Sequence, residues 1–345
     1  MSAMRSRAVL EGISLMAPAS LRVALSRWEN GRLRPDEPYA TLLTTVLELD
    51  TAPDVDTVIV EEPCEDTLFT VLSHHTDSLR LLDRRLGAPF VRRQTASHVS
   101  ALETQWQRSA GADRRDVARA LADAATLAAW QDFDVGDWAA AGRHYGQAKA
   151  AANRAGDPAL LAHAVAEHAV VLCEIGYAEL ALAEVRRAEK FPSLPLLLRA
   201  WLAATRAQVA SWCPGEEATV RHALTAADSA LAHAVSGDDV ALPYIALDEV
   251  HMDRWRGHVL ARLGDPAASV IAEEALRRLP EDFVRARCAQ VLDLAEGAAH
   301  AGEVEQAVAL LASACEQIAS LGSRRLMSRH DGLLRRVREM ETSGV

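Results

Sequence analysis

Apolar residues recur every three to four positions along the C-terminal two thirds of the chain, and glycines interrupt them at regular intervals. Each of these glycines ends an apolar stretch and has an acidic residue beside it or a few positions later. They lie 40, 39, 49 and 38 residues apart and are Gly136, Gly176, Gly215, Gly264 and Gly302. Periods of this length are typical of stacked helical hairpins, and the longer third interval indicates an inserted loop. The pattern predicts an all-α helical-hairpin solenoid over residues 117–340.

The residues around each glycine explain why one helix ends there and another begins. Glycine adopts the left-handed conformation that terminates helices at no steric cost. The acidic residue that follows lies near the positive end of the next helix dipole. After Gly302 the spacing predicts one apolar helical face, formed by Val304, Ala307, Val308, Leu311, Ala312 and Cys315.

One stretch of this region carries a family resemblance. The residues Trp130-Gln-Asp-Phe-Asp-Val-Gly-Asp137, followed by Tyr145 and Ala148, resemble a tetratricopeptide repeat. The period departs from the usual 34 residues of that repeat, and not all of its aromatic positions are filled. The resemblance implies a solenoid that binds a peptide or protein, binds another signal, or mediates self-association.

Two amphipathic helices are predicted near the N-terminus. The first runs from Ser20 to a glycine stop at Gly31, and the second follows Asp36, which we expect to cap it. The apolar stripe of the first helix is Leu21, Ala24, Leu25 and Trp28, with Arg22, Val23, Ser26 and Arg27 on the other side. The stripe of the second helix is Tyr39, Leu42, Leu43, Val46 and Leu47.

The string Leu25-Ser-Arg-Trp-Glu-Asn-Gly31, followed by Arg34-Pro35, resembles the end of the helix-turn-helix domain of the XRE (lambda-repressor-like) family. In that family the helix before the glycine enters the major groove, and the next turn approaches the phosphates. The resemblance implies that Trp28 packs inside. It also implies DNA contacts by Arg22, Ser26 and Arg27 and backbone contacts by Asn30 and Arg32.

The predicted DNA-binding domain, residues 1–50, is partial. About 19 residues precede Ser20, and the stretch from Met4 to Met16 can supply the second helix of such a domain, which leaves nothing for the first. A helix-turn-helix of this kind joined to a tetratricopeptide-like array resembles a class of actinobacterial regulators. Residues 51–63 read as a linker. Residues 64–116 read as connecting helices broken at Gly87-Ala-Pro89, which serve either packing or dimerisation.

Charge and composition narrow the classes of function. Residues 1–35 carry six arginines against two glutamates, a net of +4, so the rest of the −11 chain carries −15. This distribution permits phosphate contacts at the N-terminal segment but argues against nucleic acid wrapping the whole chain. The five cysteines are scattered and never form CxxC, which indicates a reducing cytoplasm with neither disulfides nor zinc. No apolar run is long enough to span a bilayer.

Catalytic motifs are missing from the sequence. It contains no HExxH, GxGxxG, Walker loop or GxSxG. We therefore predict no enzymatic activity, no metal site and no cofactor.

One predicted helix, from Tyr244 to Leu263, carries a polar and aromatic face with helical spacing. Its members are Tyr244, Asp248, His251, Trp255 and His258, with Arg254 beside them. One interpretation is a ligand- or peptide-binding wall on the concave side of the solenoid. The other is a contact between helices, in which Trp255 is core and the histidines and aspartate are hydrogen-bonded.

Together these features predict a cytoplasmic DNA-binding transcriptional regulator that acts as a homodimer and senses a signal through its solenoid. The alternative is a protein-interaction scaffold with a vestigial helix-turn-helix arm and no DNA binding.

Overall fold

A computed structural model describes the isolated residues Ala8, Leu21, Ala24, Leu25 and Trp28 and the ranges 15–17, 35–46, 68–236 and 242–343. The described residues form fourteen helices and no strand, which confirms the all-α class. The chain divides into two units, residues 1–65 and 66–345. The helices are α1 Tyr39–Val46, α2 Leu68–Leu86, α3 Ala88–Arg108, α4 Gly111–Asp134, α5 Trp138–Ala155, α6 Pro158–Glu174, α7 Ala178–Ala188, α8 Leu196–Ala210, α9 Glu217–Ser236, α10 Glu249–Arg262, α11 Ala267–Arg278, α12 Val284–His300, α13 Val304–Leu321 and α14 Arg324–Ser343.

The first unit has a small core of its own. Leu21 and Leu42 are fully buried, and Tyr39 lies beside them. The Trp28 ring lies 5.4 Å from the Tyr39 ring, so the predicted apolar stripes of the two N-terminal helices do meet. The Tyr39 hydroxyl also accepts a hydrogen bond of 2.8 Å from the backbone N–H of Met16.

The second unit is built from consecutive helices that pack in pairs. The pairs are α2–α3, α4–α5, α6–α7, α8–α9, α10–α11 and α12–α13, and α14 packs on the last of them. The facing positions are rich in alanine, as at Ala141, Ala148 and Ala152 of α5, and their small side chains let the helix axes approach closely. Helices α2 and α3, interpreted from the sequence as connecting helices, pack directly on α4.

The five glycines that set the sequence period lie between helices in left-handed conformations. Their φ angles run from 68° to 96°, as the sequence predicts. The acidic neighbour acts as expected at Asp137, which accepts the Ala140 N–H, and at Asp265, which accepts the Ala267 N–H. Of the face predicted after Gly302, Ala307 and Leu311 are buried as expected, but Ala312 is exposed, and the buried face continues through Ala314 and Ile318. The stripe drifts because a helix turn is 3.6 residues long.

The end of the second unit returns to its beginning. Helix α12 contacts α2, and α14 contacts α4. The loop between α2 and α3 meets the loop between α13 and α14: a Cβ on Gly87 would lie 2.5 Å from the Leu321 carbonyl oxygen, and one on Gly322 would lie 2.7 Å from Pro89 Cγ. The stack is therefore closed on itself, with the first helices of the pairs facing inward.

Candidate functional site

The inward-facing helices enclose a cavity of about 600 Å³. Most of these helices contribute side chains about one turn apart, such as Trp201, Thr205 and Gln208 of α8. Positions spaced by three or four residues share a helix face, which is why single helices line the cavity along their length. The walls come from α2, α4, α6, α8, α10, α12 and α14, with Trp138 from the start of α5, so the cavity belongs to the whole stack.

Aromatic rings form much of the cavity wall. Five of the seven tryptophans of the chain line it, with Phe133 and Phe283. The five are Trp130, Trp138, Trp201, Trp212 and Trp255. Trp255 is nearly buried, and its indole N–H donates a 2.9 Å hydrogen bond to Gln208. A wall of this kind accepts flat apolar groups by stacking.

Buried carboxylates hold several cavity arginines in place. Arg329 lies 2.5 Å from Asp293 and 2.8 Å from Glu296, and His258 donates through Nδ1 to Asp293 at 2.7 Å. Burial alone would raise the pKa of Asp293, but the Arg329 guanidinium and His258 lower it to about 2. Asp293 is therefore ionised at neutral pH, and its charge is already matched by the groups that hold it.

A second set of ion pairs lies where the stack closes. Arg285 of α12 contacts Asp83 of α2 at 2.8 Å and Asp134 of α4 at 3.1 Å. Asp134, fully buried, also accepts a 2.7 Å hydrogen bond from the Ser323 hydroxyl. Arg325 of α14 reaches the same carboxylate at 3.4 Å. These bonds tie the two ends of the unit together beside the cavity.

Arg254 of α10 differs from these arginines. It lines the cavity, yet no hydrogen bond or ion pair joins it to any of the described residues, and its Nε is shielded from solvent without a partner. The Arg254 guanidinium carbon lies 4.8 Å from the centre of the Trp255 ring, a cation–π contact. Burial lowers the pKa of Arg254, although the guanidinium remains protonated.

Among the carboxyl groups that line the cavity, Glu167 of α6 has the pKa that departs most from its ordinary value. Burial raises its pKa to about 7, against the opposing effect of a 3.3 Å hydrogen bond from the Tyr145 hydroxyl. A neighbouring cavity of about 150 Å³ shares Glu167 and is lined by Tyr244 and His163 as well. The protonated and ionised forms of the Glu167 carboxyl are therefore both populated near neutral pH.

The structure corrects the predicted ligand-binding helix. It begins at Glu249 rather than Tyr244, because Asp248 is its N-cap and accepts the backbone N–H of His251 at 2.8 Å. Tyr244 lies in the preceding irregular segment, with its ring 4.7 Å from that of His163. Tyr244 and Asp248 therefore share no helical face with the others.

The remaining predicted ligand residues do lie on α10. Arg254, Trp255 and His258 line the large cavity. His251 instead makes a 2.7 Å contact through Nδ1 with Asp248 and packs edge-on against Phe283, with the ring centroids 4.9 Å apart. The sequence interpretation missed cavity residues on other helices, Trp201 and Arg329 among them, although Trp201, Thr205 and Gln208 have helical spacing in α8 and Arg325 and Arg329 have it in α14.

The predicted DNA-contacting residues Arg22, Ser26, Arg27, Asn30 and Arg32 lie outside the described residues. Within the described part, no group of three or more His, Cys, Asp or Glu side chains is arranged to hold a metal ion. No described helix combines the length and apolar character that crossing a bilayer requires.

Comparison with known proteins adds no relative. No protein-family model matches the chain, and no curated protein matches it either. The geometry of the cavity and the N-terminal residue string therefore carry the functional argument.

Proposed function

We propose that the protein is a DNA-binding transcriptional regulator whose tetratricopeptide-like unit senses a signal. The observation that carries the proposal is the string Leu25-Ser-Arg-Trp-Glu-Asn-Gly31, with its resemblance to the XRE helix-turn-helix. It lies in a segment of net charge +4, which suits contact with phosphates. The packing of Trp28 against Tyr39 supports the interior role that the resemblance gives to Trp28.

In this proposal Arg22, Ser26 and Arg27 read base edges in the major groove, and Asn30 and Arg32 hold the DNA backbone. The protein acts in the cytoplasm as a homodimer on a two-fold symmetric operator. The cavity of the second unit receives the signal, because its volume of about 600 Å³ suits a small molecule and its wall carries both aromatic and charged groups.

A gel shift at controlled salt, with the full reading frame and the DNA upstream of its own gene, tests DNA binding. Arg27→Ala should weaken binding by about 1–3 kcal/mol and relax sequence preference, and Arg32→Ala should lower the salt slope by about one. The matched control is Arg277→Ala, an exposed arginine of α11, which should bind as the wild type does. Sequence-independent binding, or none, would reject the proposal.

The second candidate is a protein-interaction scaffold that binds no DNA. Large apolar side chains exposed on the second unit favour it, including Leu81, Leu86 and Phe90 at the α2–α3 corner. On this reading a chain lacking residues 1–50 captures the same protein partner as the full chain. On the leading proposal that deletion abolishes the gel shift.

A further inference from the structure

The unpaired charge of Arg254 on the cavity wall is the feature that points to a ligand. Arg254 is half-buried, and its Nε is shielded from water without a hydrogen-bond partner, an arrangement that costs free energy until a ligand or a protein group supplies an acceptor. Asp293 is the acid that attracts Arg254 most, but Arg329 and His258 already hold that carboxylate at 2.5 and 2.7 Å. The protein itself therefore leaves Arg254 without an anionic partner.

The cavity as a whole carries an excess of cations. Three acidic residues line it, namely Glu167, Glu174 and Asp293. Seven arginines line it, namely Arg84, Arg254, Arg262, Arg285, Arg324, Arg325 and Arg329. Ion pairs with the lining acids or with carboxylates just behind the wall engage four of these, Arg262, Arg285, Arg325 and Arg329. The positive charge that remains belongs to the half-buried Arg84 and Arg254 and to the exposed Arg324.

Arg84 adds a second cation without an ion pair among the described residues. Its guanidinium lies 5.0 Å from the centre of the Phe283 ring. Both Arg84 and Arg254 lower the pKa of His251, after the larger effect of its burial, so both guanidinium groups act on one region of the wall. The lowered pKa favours neutral His251, which adds no positive charge to this region. Its Nε2 is buried and has no hydrogen-bond partner among the described residues.

The apolar part of the wall limits the shape of a ligand. Trp130, Trp201 and Trp255 present ring surfaces to a space of about 600 Å³. This volume lies within the range of roughly 300–1,000 Å³ that small-molecule sites occupy.

Solvent reaches the cavity. Trp138 and Trp212 line it while remaining 50% and 38% exposed, and Arg324 and Ser328 are exposed lining residues of α14. These four residues mark a mouth through which a small molecule can enter without separation of α2 from α12. The walls deeper in the cavity are the nearly buried Trp201 and Trp255.

We propose that the cavity binds a small molecule with an anionic group on a planar apolar body, and that Arg254 pairs with the anion while Trp201 and Trp255 flank the body. The proposal rests on the signal-sensing function given above and names the chemistry of the signal. A carboxylate, sulfonate or phosphate supplies the required anion, and a guanidinium binds each of them through two parallel N–H donors.

Two fluorescent probes that differ in one group test this directly on the full-length protein. Anilinonaphthalene sulfonate carries the anion and the planar body, and N-phenylnaphthylamine is the same molecule without the sulfonate. Energy transfer from the cavity tryptophans reports binding of each. We expect one sulfonate probe per chain and at least about tenfold tighter binding than for the neutral probe, as loss of one hydrogen-bonded ion pair predicts.

Three variants assign the preference to Arg254. Arg254→Met should bring the sulfonate probe down to the affinity of the neutral probe and leave the neutral probe unchanged. Arg254→Lys should keep part of the preference, because the charge remains. Arg221→Met, on the exposed face of α9, should behave as the wild type does.

Equal affinity of wild-type protein for the two probes would overturn the inference, as would a sulfonate preference that survives Arg254→Met. None of these measurements contains DNA, so a failed gel shift rejects the regulator proposal and leaves this result standing.

Discussion

Arg285 donates from two guanidinium nitrogens to the carboxylate of Asp83, 2.9 and 2.8 Å away, although the two residues are 202 positions apart in the chain. The bidentate pair is almost wholly buried and joins α12 to α2. With Asp134 on its other side, it is the charged centre of the contact that closes the second unit.

Arg285→Met should destabilise the protein by about 3–5 kcal/mol, because it leaves the carboxylates of Asp83 and Asp134 buried without this counter-ion. Urea unfolding followed by circular dichroism measures the change. Arg277→Met removes an exposed ion pair and should cost less than about 1 kcal/mol. If the Asp83→Asn/Arg285→Met double variant loses as much as the two single variants added together, the pair is not coupled and the interpretation fails.

Gly322→Ala should be more damaging than Gly156→Ala. Both glycines end a helix in the left-handed conformation, with φ 63° and ψ 24° for Gly322 and φ 67° and ψ 30° for Gly156. Each alanine substitution introduces about 1 kcal/mol of backbone strain. Only at Gly322 does the new methyl collide, 2.7 Å from Pro89 Cγ, whereas Gly156 faces open space.

The collision should add about 1–3 kcal/mol at Gly322. Thermal unfolding of the two variants side by side measures the difference. Equal losses would mean that the contact between the α2–α3 and α13–α14 loops does not hold the unit closed.

Glu167→Gln should change how stability depends on pH. Burial raises the pKa of Glu167 to about 7, so the folded protein holds this proton more tightly than the unfolded chain does. The contribution of Glu167 is fully present below its unfolded pKa of about 4.3 and is lost as pH rises through about 7.

The free energy of unfolding of the wild type, relative to Glu167→Gln, should therefore fall by roughly 3 kcal/mol between pH 4 and pH 8. Denaturant unfolding across that range supplies the measurement. Glu305→Gln, an exposed glutamate of α13, should give a difference that hardly varies with pH. A flat profile for Glu167→Gln would show that the carboxyl titrates as it does in water.

The proposed homodimer can be tested at the exposed apolar corner between α2 and α3. Leu86 and Phe90 are 46% and 57% exposed there. Leu86→Glu should shift the protein from dimer to monomer in analytical ultracentrifugation, because a charge replaces apolar contact area. Val270→Glu, at a 72% exposed position of α11, should leave the association unchanged. A dimer that tolerates Leu86→Glu uses another surface.

The sequence predicts the helical class and the turns well, because both depend on neighbouring residues. Gly136 and Gly264 take the expected left-handed conformation, since no other residue adopts it as cheaply. The break at Gly87 follows from the same chemistry, with Pro89 beginning a new helix. Closure of the stack cannot be predicted in this way. It depends on the angle between successive pairs, and no local pattern links Asp83 to Arg285.

The candidate site is predicted only in part for the same reason. Arg254, Trp255 and His258 share one helix, so their spacing reveals a common face. The helical spacing cannot be extended back from His251 to Tyr244, because the Asp248 side chain caps the helix and the helix begins only after it. Trp201 and Arg329 come from other pairs, and only the stacking of those pairs brings them to the same cavity.

Contact between α2 and α12 gives the second unit no free end. In an open stack the terminal hairpins have a single neighbour, so they fray and exchange their amide hydrogens long before the centre does. Here α2 also contacts α12 and α14 also contacts α4, and opening α2 or α12 breaks the Arg285 pair. Amides of α2 and α12 should therefore exchange as slowly as those of α6, and the unit should unfold in one cooperative step rather than from its ends.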